Sequence, residues 1–249
     1  EHYADFLEEQ EAWLKRGQQK EALEAISIEI DNIRAGWYWA VRHRREAEFE
    51  KYCESLFLIH NMQSWFHEGE TVFRLAADSL HQTSQLNGQT KKMLGKVLSR
   101  QGVFCASLGR YDQARAILAE GLAIFEDPEI RRSAPLSLTY LGATAWALGE
   151  YVQARQLCLE SLVITQERGD RWREALIYEY LGMIAISLAE YKEAKDLAQR
   201  CLAIFREFDY RSGIAFSLNL YGIAARNLGD YEEARQISQQ ILPKSRENG

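Results

Sequence analysis

Proline is scarce, with three residues in a chain of 249. Loop-rich β architectures, built from many short strands and Gly/Pro turns, are therefore a poor fit. No run approaches the ~18 apolar residues of a membrane span. The opening Glu1-His2-Tyr3-Ala4-Asp5 has neither the basic nor the apolar region of a secretory leader. It is also not a Met start, so the expectation is an excised or processed piece of a longer chain. A basic excess is missing as well. Lys and Arg number 30 against 36 Asp and Glu, a net charge of −6, which disfavours a binder that works by neutralising phosphates. Lys91-Lys92 and Arg131-Arg132 are isolated pairs, so no nucleic-acid partner and no membrane are expected.

Signatures of chemistry are absent too. The four cysteines, 53, 105, 158 and 201, form no Cys-x-x-Cys pair, and each falls in an apolar, helix-like run. Reduced core cysteines in a cytoplasmic protein are expected in preference to disulfides or metal ligands. His60 and His67 would share a helix face only if the helix ran unbroken through Gln63-Ser64, where a turn is expected. No phosphate-cradling Gly-x-x-x-x-Gly-Lys run exists, and Asn87-Gly88-Gln89-Thr90-Lys91 reads as a polar linker. No nucleophile elbow occurs. The acid pairs Glu8-Glu9 and Glu232-Glu233 sit where helix starts favour carboxylates. No catalytic residue, metal or cofactor is expected.

What the chain does have is a repeat. Leu108-Gly109-Arg110-Tyr111-Asp112-Gln113-Ala114-Arg115 returns at Leu148, Leu188 and Leu228 with a constant spacing of 40 residues. The Gly102, Gly142, Gly182 and Gly222 column keeps the same register. So do Leu122, Leu162, Leu202 and Leu242, the small column Cys105, Ala145, Ala185 and Ala225, and the aliphatic column Ile117, Leu157, Leu197 and Ile237. Within a unit the apolar spacing is helical: Leu138, Leu141, Ala145 and Leu148, then Tyr151, Ala154, Leu157 and Cys158 after a break at Gly149. Each unit therefore reads as two antiparallel helices joined by a tight turn at Leu-Gly-x-Tyr, with Gly in the left-handed position and Ala189 strained in that role. Ser133 with Pro135, Asp170 and Asp209 read as helix caps between units. Residues 1–90 lack the register but are helical: Tyr3 to Leu14, Leu23 to Ala40, Phe49 to Phe57 and Val72 to Leu80 each show one apolar face. Polar residues 82–92 read as a linker. Two domains follow: a helical capping or joint region with a degenerate repeat over 1–90, and four repeats over 91–249.

Leu141-Gly142, Gly149, Tyr151, Ala154 and Leu162 in this order resemble the tetratricopeptide repeat, in a form longer than the usual unit. The resemblance implies an all-α fold: a right-handed superhelical α-solenoid of antiparallel helix pairs. The long form, with Glu167-Arg168-Gly169-Asp170-Arg171 between units, is similar to the sensor arms of signal-transduction ATPases of the STAND family. Glu29-Ile30-Asp31-Asn32-Ile33-Arg34-Ala35-Gly36-Trp37-Tyr38-Trp39 resembles a segment that precedes the repeats in those proteins. It reads either as a joint to an ATPase core or as a helix pair capping the solenoid.

By the family geometry the first helix of each pair lines a groove. Its columns hold Ser99, Thr139, Glu179 and Asn219; Val103, Ala143, Met183 and Ile223; and Ala106, Trp146, Ile186 and Arg226. The Lys and Asn clamp of chaperone-binding relatives is missing. The candidate recognition residues are Tyr140, Trp146, Glu179, Met183, Asn219, Ile223 and Arg226, an apolar stripe with a polar end. Burial of Trp146 and Met183 by curvature of the array is the competing reading. The expected function is non-catalytic recognition as a sensor arm. Its partners would be a protein or a small-molecule inducer, and other domains of the same parent chain. A free-standing scaffold binding a peptide or helix is the alternative. The fourth unit ends in Pro243-Lys244-Ser245-Arg246-Glu247-Asn248-Gly249 without an amphipathic capping helix, which predicts further repeats or a polar tail.

Overall fold

Helical periodicity becomes helix throughout the described residues. The computed structural model describes residues 2–82, 87–125 and 130–241, and these form twelve α-helices and no strand. In order they are α1 (His2–Leu14), α2 (Gln19–Arg42), α3 (Glu46–Met62), α4 (Phe66–His81), α5 (Gly88–Ser107), α6 (Tyr111–Ile124), α7 (Pro135–Ala147), α8 (Tyr151–Glu167), α9 (Arg171–Ser187), α10 (Tyr191–Glu207), α11 (Arg211–Leu228) and α12 (Tyr231–Ile241). Leu242, in the repeated leucine column, and the 243–249 tail lie outside the described residues. By its contacts the chain divides into two compact units, Glu1–Leu148 and Gly149–Gly249.

The turn inside each repeat works as its sequence requires. Gly109, Gly149 and Gly229 hold φ of +74°, +81° and +88°. The residue after each left-handed position closes the helix end: Arg110 N–H donates to the Cys105 carbonyl at 3.0 Å, and Asp230 N–H to that of Ala225 at 3.0 Å. This closure satisfies carbonyls that the helix end would leave bare. Ala189 adopts the same conformation at φ +58°, and its Glu190 N–H reaches the Ala185 carbonyl at 2.8 Å. A Cβ in this region costs about 1–2 kcal/mol, so Ala189 is the strained member of the column.

Three readings of the connections change. Asp170 caps α9 through a hydrogen bond from Arg173 N–H at 3.0 Å, as expected. Ser133, however, lies in a short 3-10 turn, and the cap of α7 is Ala134, with Pro135 next. Asp209 is no cap either. It takes the left-handed position at φ +49° that ends α10, and Tyr210 precedes α11. In the 82–92 linker, residues 83–86 lie outside the described residues, and α5 already starts at Gly88. Asn87 caps that helix, accepting from Thr90 N–H at 2.8 Å. An Asn-Gly step is thus a helix start here, because the cap consumes the polar side chain that a linker would leave in water.

The first unit packs around aromatic rings. Trp37 stacks on Phe49 at 5.2 Å and meets Phe73 edge-on at 5.6 Å, while Phe73 stacks on Phe104 at 5.9 Å. Trp37 and Ile33 of the Glu29–Trp39 segment are fully buried. Its polar residues bond locally: Asn32 donates to Glu29, and Arg34 to Asp31 and Glu68. A charge ladder ties α3 to α5. Lys92 pairs with Glu46 and Glu50, Lys96 with Glu50, and Arg100 donates to Glu54 at 2.5 Å. Each rung is four residues from the next, the spacing that keeps one helix face in register with another.

The second unit stacks α8 to α12 in chain order. Ala154, Cys158, Ala194, Ala198 and Cys201 are fully buried, and small side chains at these positions let the helices approach closely. Trp172 meets Phe205, Phe208 and Tyr210 edge-on at 5.7, 5.5 and 4.5 Å. All four cysteines are unpaired and buried. Burial pushes the Cys53 and Cys105 thiols up to about 11 and those of Cys158 and Cys201 to about 12. They behave as small core residues rather than nucleophiles.

Candidate functional site

Of the seven candidate recognition residues, Tyr140 and Trp146 belong to the first unit and the other five to the second. Tyr140, half-buried on α7, stands nearly perpendicular to the Phe57 ring with centroids 6.5 Å apart. Trp146 is half-buried near the end of α7. In the same columns Ser99, Thr139 and Val103 are buried, Ser99 sharing a 2.5 Å hydrogen bond with Ser137. Much of the expected groove lining in this unit is therefore packing.

In the second unit Met183 is half-buried and packs, with Ile186, against a cluster containing Ala198, Leu220, Tyr221 and Ala225. Glu179 on α9 has a buried carboxylate oxygen, Oε1, with no hydrogen-bond partner. Burial alone pushes its carboxyl up to about 8, so it is mostly protonated at neutral pH.

The structure brings three candidates together. Asn219, Ile223 and Arg226 of α11 line one side of a cleft of 240 Å³ whose other side is α12, with Ala234 and Arg235. Asn219, Arg226 and Arg235 are exposed, and Ile223 is half-buried. The floor is Gly222, where the atom nearest to an added Cβ is Ile237 Cγ2 at 3.6 Å. Neither arginine has an acidic partner among the described residues. A second cleft, of 310 Å³ and including Gln199, Arg206 and Tyr221, holds none of the candidates.

Sequence reading overlooked Arg235 and the ion pairs of its column, although the repeat register carries them. Arg155 pairs with Glu190 and Glu193, and Lys195 with Asp230 at 3.2 Å and Glu233 at 2.5 Å. The Glu233 and Asp230 carboxylates hold the Lys195 ammonium above its usual range. Forty residues on, Arg235 is the next cation of the series.

Among the described residues no three His, Cys, Asp or Glu side chains gather as metal ligands, and no helix is long and apolar enough to cross a membrane. His60 is buried, with Nδ1 2.7 Å from the Leu56 carbonyl, and desolvation holds its pKa below the usual range.

The tetratricopeptide-repeat family model matches residues 133–207 and 173–247, and a second model of that description matches residues 95–120, together over half of the chain. These are tetratricopeptide repeats. Solved structures share the fold. BtubC (BKLC) from P. vanneervenii superposes with a TM-score of 0.66 at 18% identity, over 88% of this chain and 87% of that one. The Rap conjugation gene regulator of the plasmid pLS20, in complex with the Phr* peptide, superposes with a TM-score of 0.65 at 11% identity, over 98% and 75%. The apo form of RapI gives 0.59 at 15%, over 100% and 67%. No curated protein sequence matches the chain. The tetratricopeptide assignment fixes the all-α fold class, and the repeat register locates the α11/α12 cleft within it.

Proposed function

We propose that this chain is a non-catalytic recognition module that binds a peptide or helix of a protein partner. The cleft between α11 and α12 carries the proposal: an apolar floor at Gly222 and Ile223, with two cations and an amide at its rim. Tetratricopeptide helix pairs present such surfaces on a rigid stack. A structural neighbour, the Rap regulator of pLS20, was solved with a peptide bound, which supports the peptide reading. Tyr140, Trp146, Glu179 and Met183 belong to the same proposal as recognition or supporting residues on the first helices of their pairs.

The finer reading is a cytoplasmic sensor arm of a signal-transduction ATPase, responding to a protein or small-molecule inducer and to other domains of its parent chain. The Glu29–Trp39 segment supports it, with Asp31, Tyr38 and Trp39 exposed beside the buried Ile33 and Trp37. A phosphate-binding loop and winged helix encoded upstream of Glu1 decide that reading, and their absence refutes it.

Site-specific photocross-linking tests the recognition function. A cross-linker at Ile223 should yield a discrete adduct with one protein partner, and the same group at the exposed Ala116 should not. Arg226→Ala should weaken that partner's binding by about tenfold or more, while the chain stays folded. Equal adducts from both positions, or none from either, refute the proposal.

A further inference from the structure

Glu48, Glu70 and Glu174 are buried, and each has a cation beside it: Arg45 at 2.6 Å, Arg74 at 3.4 Å and Arg171 at 2.7 Å. Glu174 also accepts from the Tyr178 hydroxyl at 2.8 Å. Glu179 of α9 breaks this pattern. Its Oε1 is buried without a hydrogen-bond partner, and no cation among the described residues offsets the burial.

The repeat shows how the same position is satisfied elsewhere. Ser99 donates to the Gly95 carbonyl at 2.6 Å and meets Ser137 Oγ at 2.5 Å, and Thr139 donates to the Pro135 carbonyl at 2.8 Å. Asn219 is exposed to water. Ser137 lies 38 residues beyond Ser99, and the residue at that offset from Glu179 is Ser217 of α11. Gly182 and Leu220 meet across α9 and α11 with the same offset. Ser217 is already engaged. Its hydroxyl donates to the Gly213 carbonyl at 2.7 Å and accepts from Cys201 Sγ at 3.1 Å, so it has no proton left for a carboxylate.

The position is not sealed. Glu179 as a whole is half-buried, as is Met183 one turn on, and Phe216, beside Ser217, is exposed. A cation on a long apolar stem is offered cover for its methylenes and a carboxyl for its head. A neutral ligand would be served by the serine or threonine of this column, without the cost of a buried carboxyl. A carboxyl surpasses them only when it ionises against a cation.

We propose that Glu179 seats a lysine or arginine side chain of the bound peptide, on the face that α9 presents beside α11. The carboxylic acid gives its proton to solvent as the cation arrives, and a carboxylate–cation pair forms, one proton leaving for each positive charge that enters. Among the described residues of α10 and α11, the titratable group that acts with it is the Cys201 thiol, which burial raises to about 12 and keeps neutral. The inference rests on the recognition reading and names the partner's chemistry.

The probes are acetylated, amidated peptides Ala-Leu-Xaa-Leu-Ala with lysine, arginine or norleucine at Xaa, titrated into the whole chain. Methionine methyl resonances report binding, because Met183 is one turn from Glu179 whereas Met62 and Met93 belong to the first unit. Saturable shifts at Met183 and not at Met62 or Met93 are expected from the lysine and arginine peptides, with the norleucine peptide about tenfold weaker or more. Affinity should rise with pH up to about 8, by at most roughly tenfold per pH unit, and calorimetry in two buffers should show one proton released. Glu179→Gln should weaken the lysine peptide by about tenfold or more and flatten its pH dependence, while melting no lower than the wild type at pH 8. Absence of binding, equal binding of the norleucine peptide, or affinity indifferent to pH or to Glu179→Gln overturns the proposal. So does a Glu179 carboxyl that titrates near 4.5 without any probe, because water or a cation of the chain itself then already answers it. A partner that cross-links at Ile223 and binds the Glu179→Gln chain unchanged overturns the cation seat and leaves the recognition reading standing. If the peptides behave as expected while no partner cross-links at Ile223, the recognition reading fails and the cation seat stands.

Discussion

Leu220 of α11 occupies the space that a methyl group on Gly182 of α9 would need, whereas Gly222, at the same position of the next repeat, faces Ile237 at an ordinary 3.6 Å. Identical residues in one column thus have opposite tolerances. Both are mid-helix, where Gly→Ala gains about 0.5–1 kcal/mol of helix propensity. At Gly222 nothing among the described residues opposes the gain, so Gly222→Ala should be neutral to stabilising. At Gly182 the gain is offset by overpacking against a buried leucine, typically about 1–3 kcal/mol. Urea titration should place Gly182→Ala below Gly222→Ala by about 1 kcal/mol or more. The reverse order would mean that α11 does not seat on α9.

The repeat made the fold legible. A forty-residue period with a left-handed glycine at its turn leaves little choice but stacked helix pairs, and Gly109, Gly149 and Gly229 adopt that conformation. Within the glycine column, Gly102 and Gly182 pack tightly against Leu118 and Leu220. What the period cannot convey is which faces are covered, because cover depends on the neighbouring pair. Met183 and Ile223 are one column, yet Met183 joins a cluster with Leu220 while Ile223 lines a cleft. The Glu46–Glu50–Glu54 edge and its Lys92–Lys96–Arg100 counterpart are 46 residues apart and outside the register. Only the packing of α3 on α5 reveals their pairing. The caps at Ser133 and Asp209 were misread because a polar residue near a helix start can equally end the preceding helix, as Asp209 does.

Ala154 and Ala116 separate a crossing position from an outer one. Ala154 is fully buried on α8 and Ala116 is exposed on α6. Ala154→Leu should cost about 1–3 kcal/mol by overpacking, while Ala116→Leu should stay within about 0.5 kcal/mol of the wild type. Coincident melting curves for the two variants would contradict the packing of the second unit.

Arg100 is the deepest rung of the ladder. It is buried, donates to Glu54 and to the Lys96 carbonyl, and lies over the Phe57 ring at 5.7 Å. Removing one partner leaves the other charge poorly solvated. Glu54→Ala should therefore destabilise the chain by about 3–5 kcal/mol, whereas exposed pairs such as Lys20–Glu24 contribute about 0.5 kcal/mol or less. The double variant Arg100→Met with Glu54→Leu should recover much of the loss, since an apolar pair carries no desolvation cost. A double variant less stable than Glu54→Ala alone would show that the ladder stabilises beyond the burial of its methylenes.

Glu179 makes stability depend on pH in an unusual direction. Its carboxyl is raised from an ordinary 4.5 to about 8, because burial penalises the anion and no partner offsets it. The folded chain thus binds the Glu179 proton more tightly than the unfolded chain. The resulting stabilisation is complete below about pH 4.5 and is lost progressively as pH rises through about 8, at up to roughly 1.4 kcal/mol per pH unit. Asp5 and Glu233 act the other way. Lys51 holds Asp5 below its usual range, a contribution that fades on acidification. The two trends are separated by Glu179→Gln, which keeps the shape and removes the charge. Urea unfolding of both proteins from pH 5 to pH 8 should show the wild type losing stability relative to the variant as pH rises. Parallel curves across that range would show that Glu179 is ionised and solvated in the native state, and would remove it from the buried face of α9.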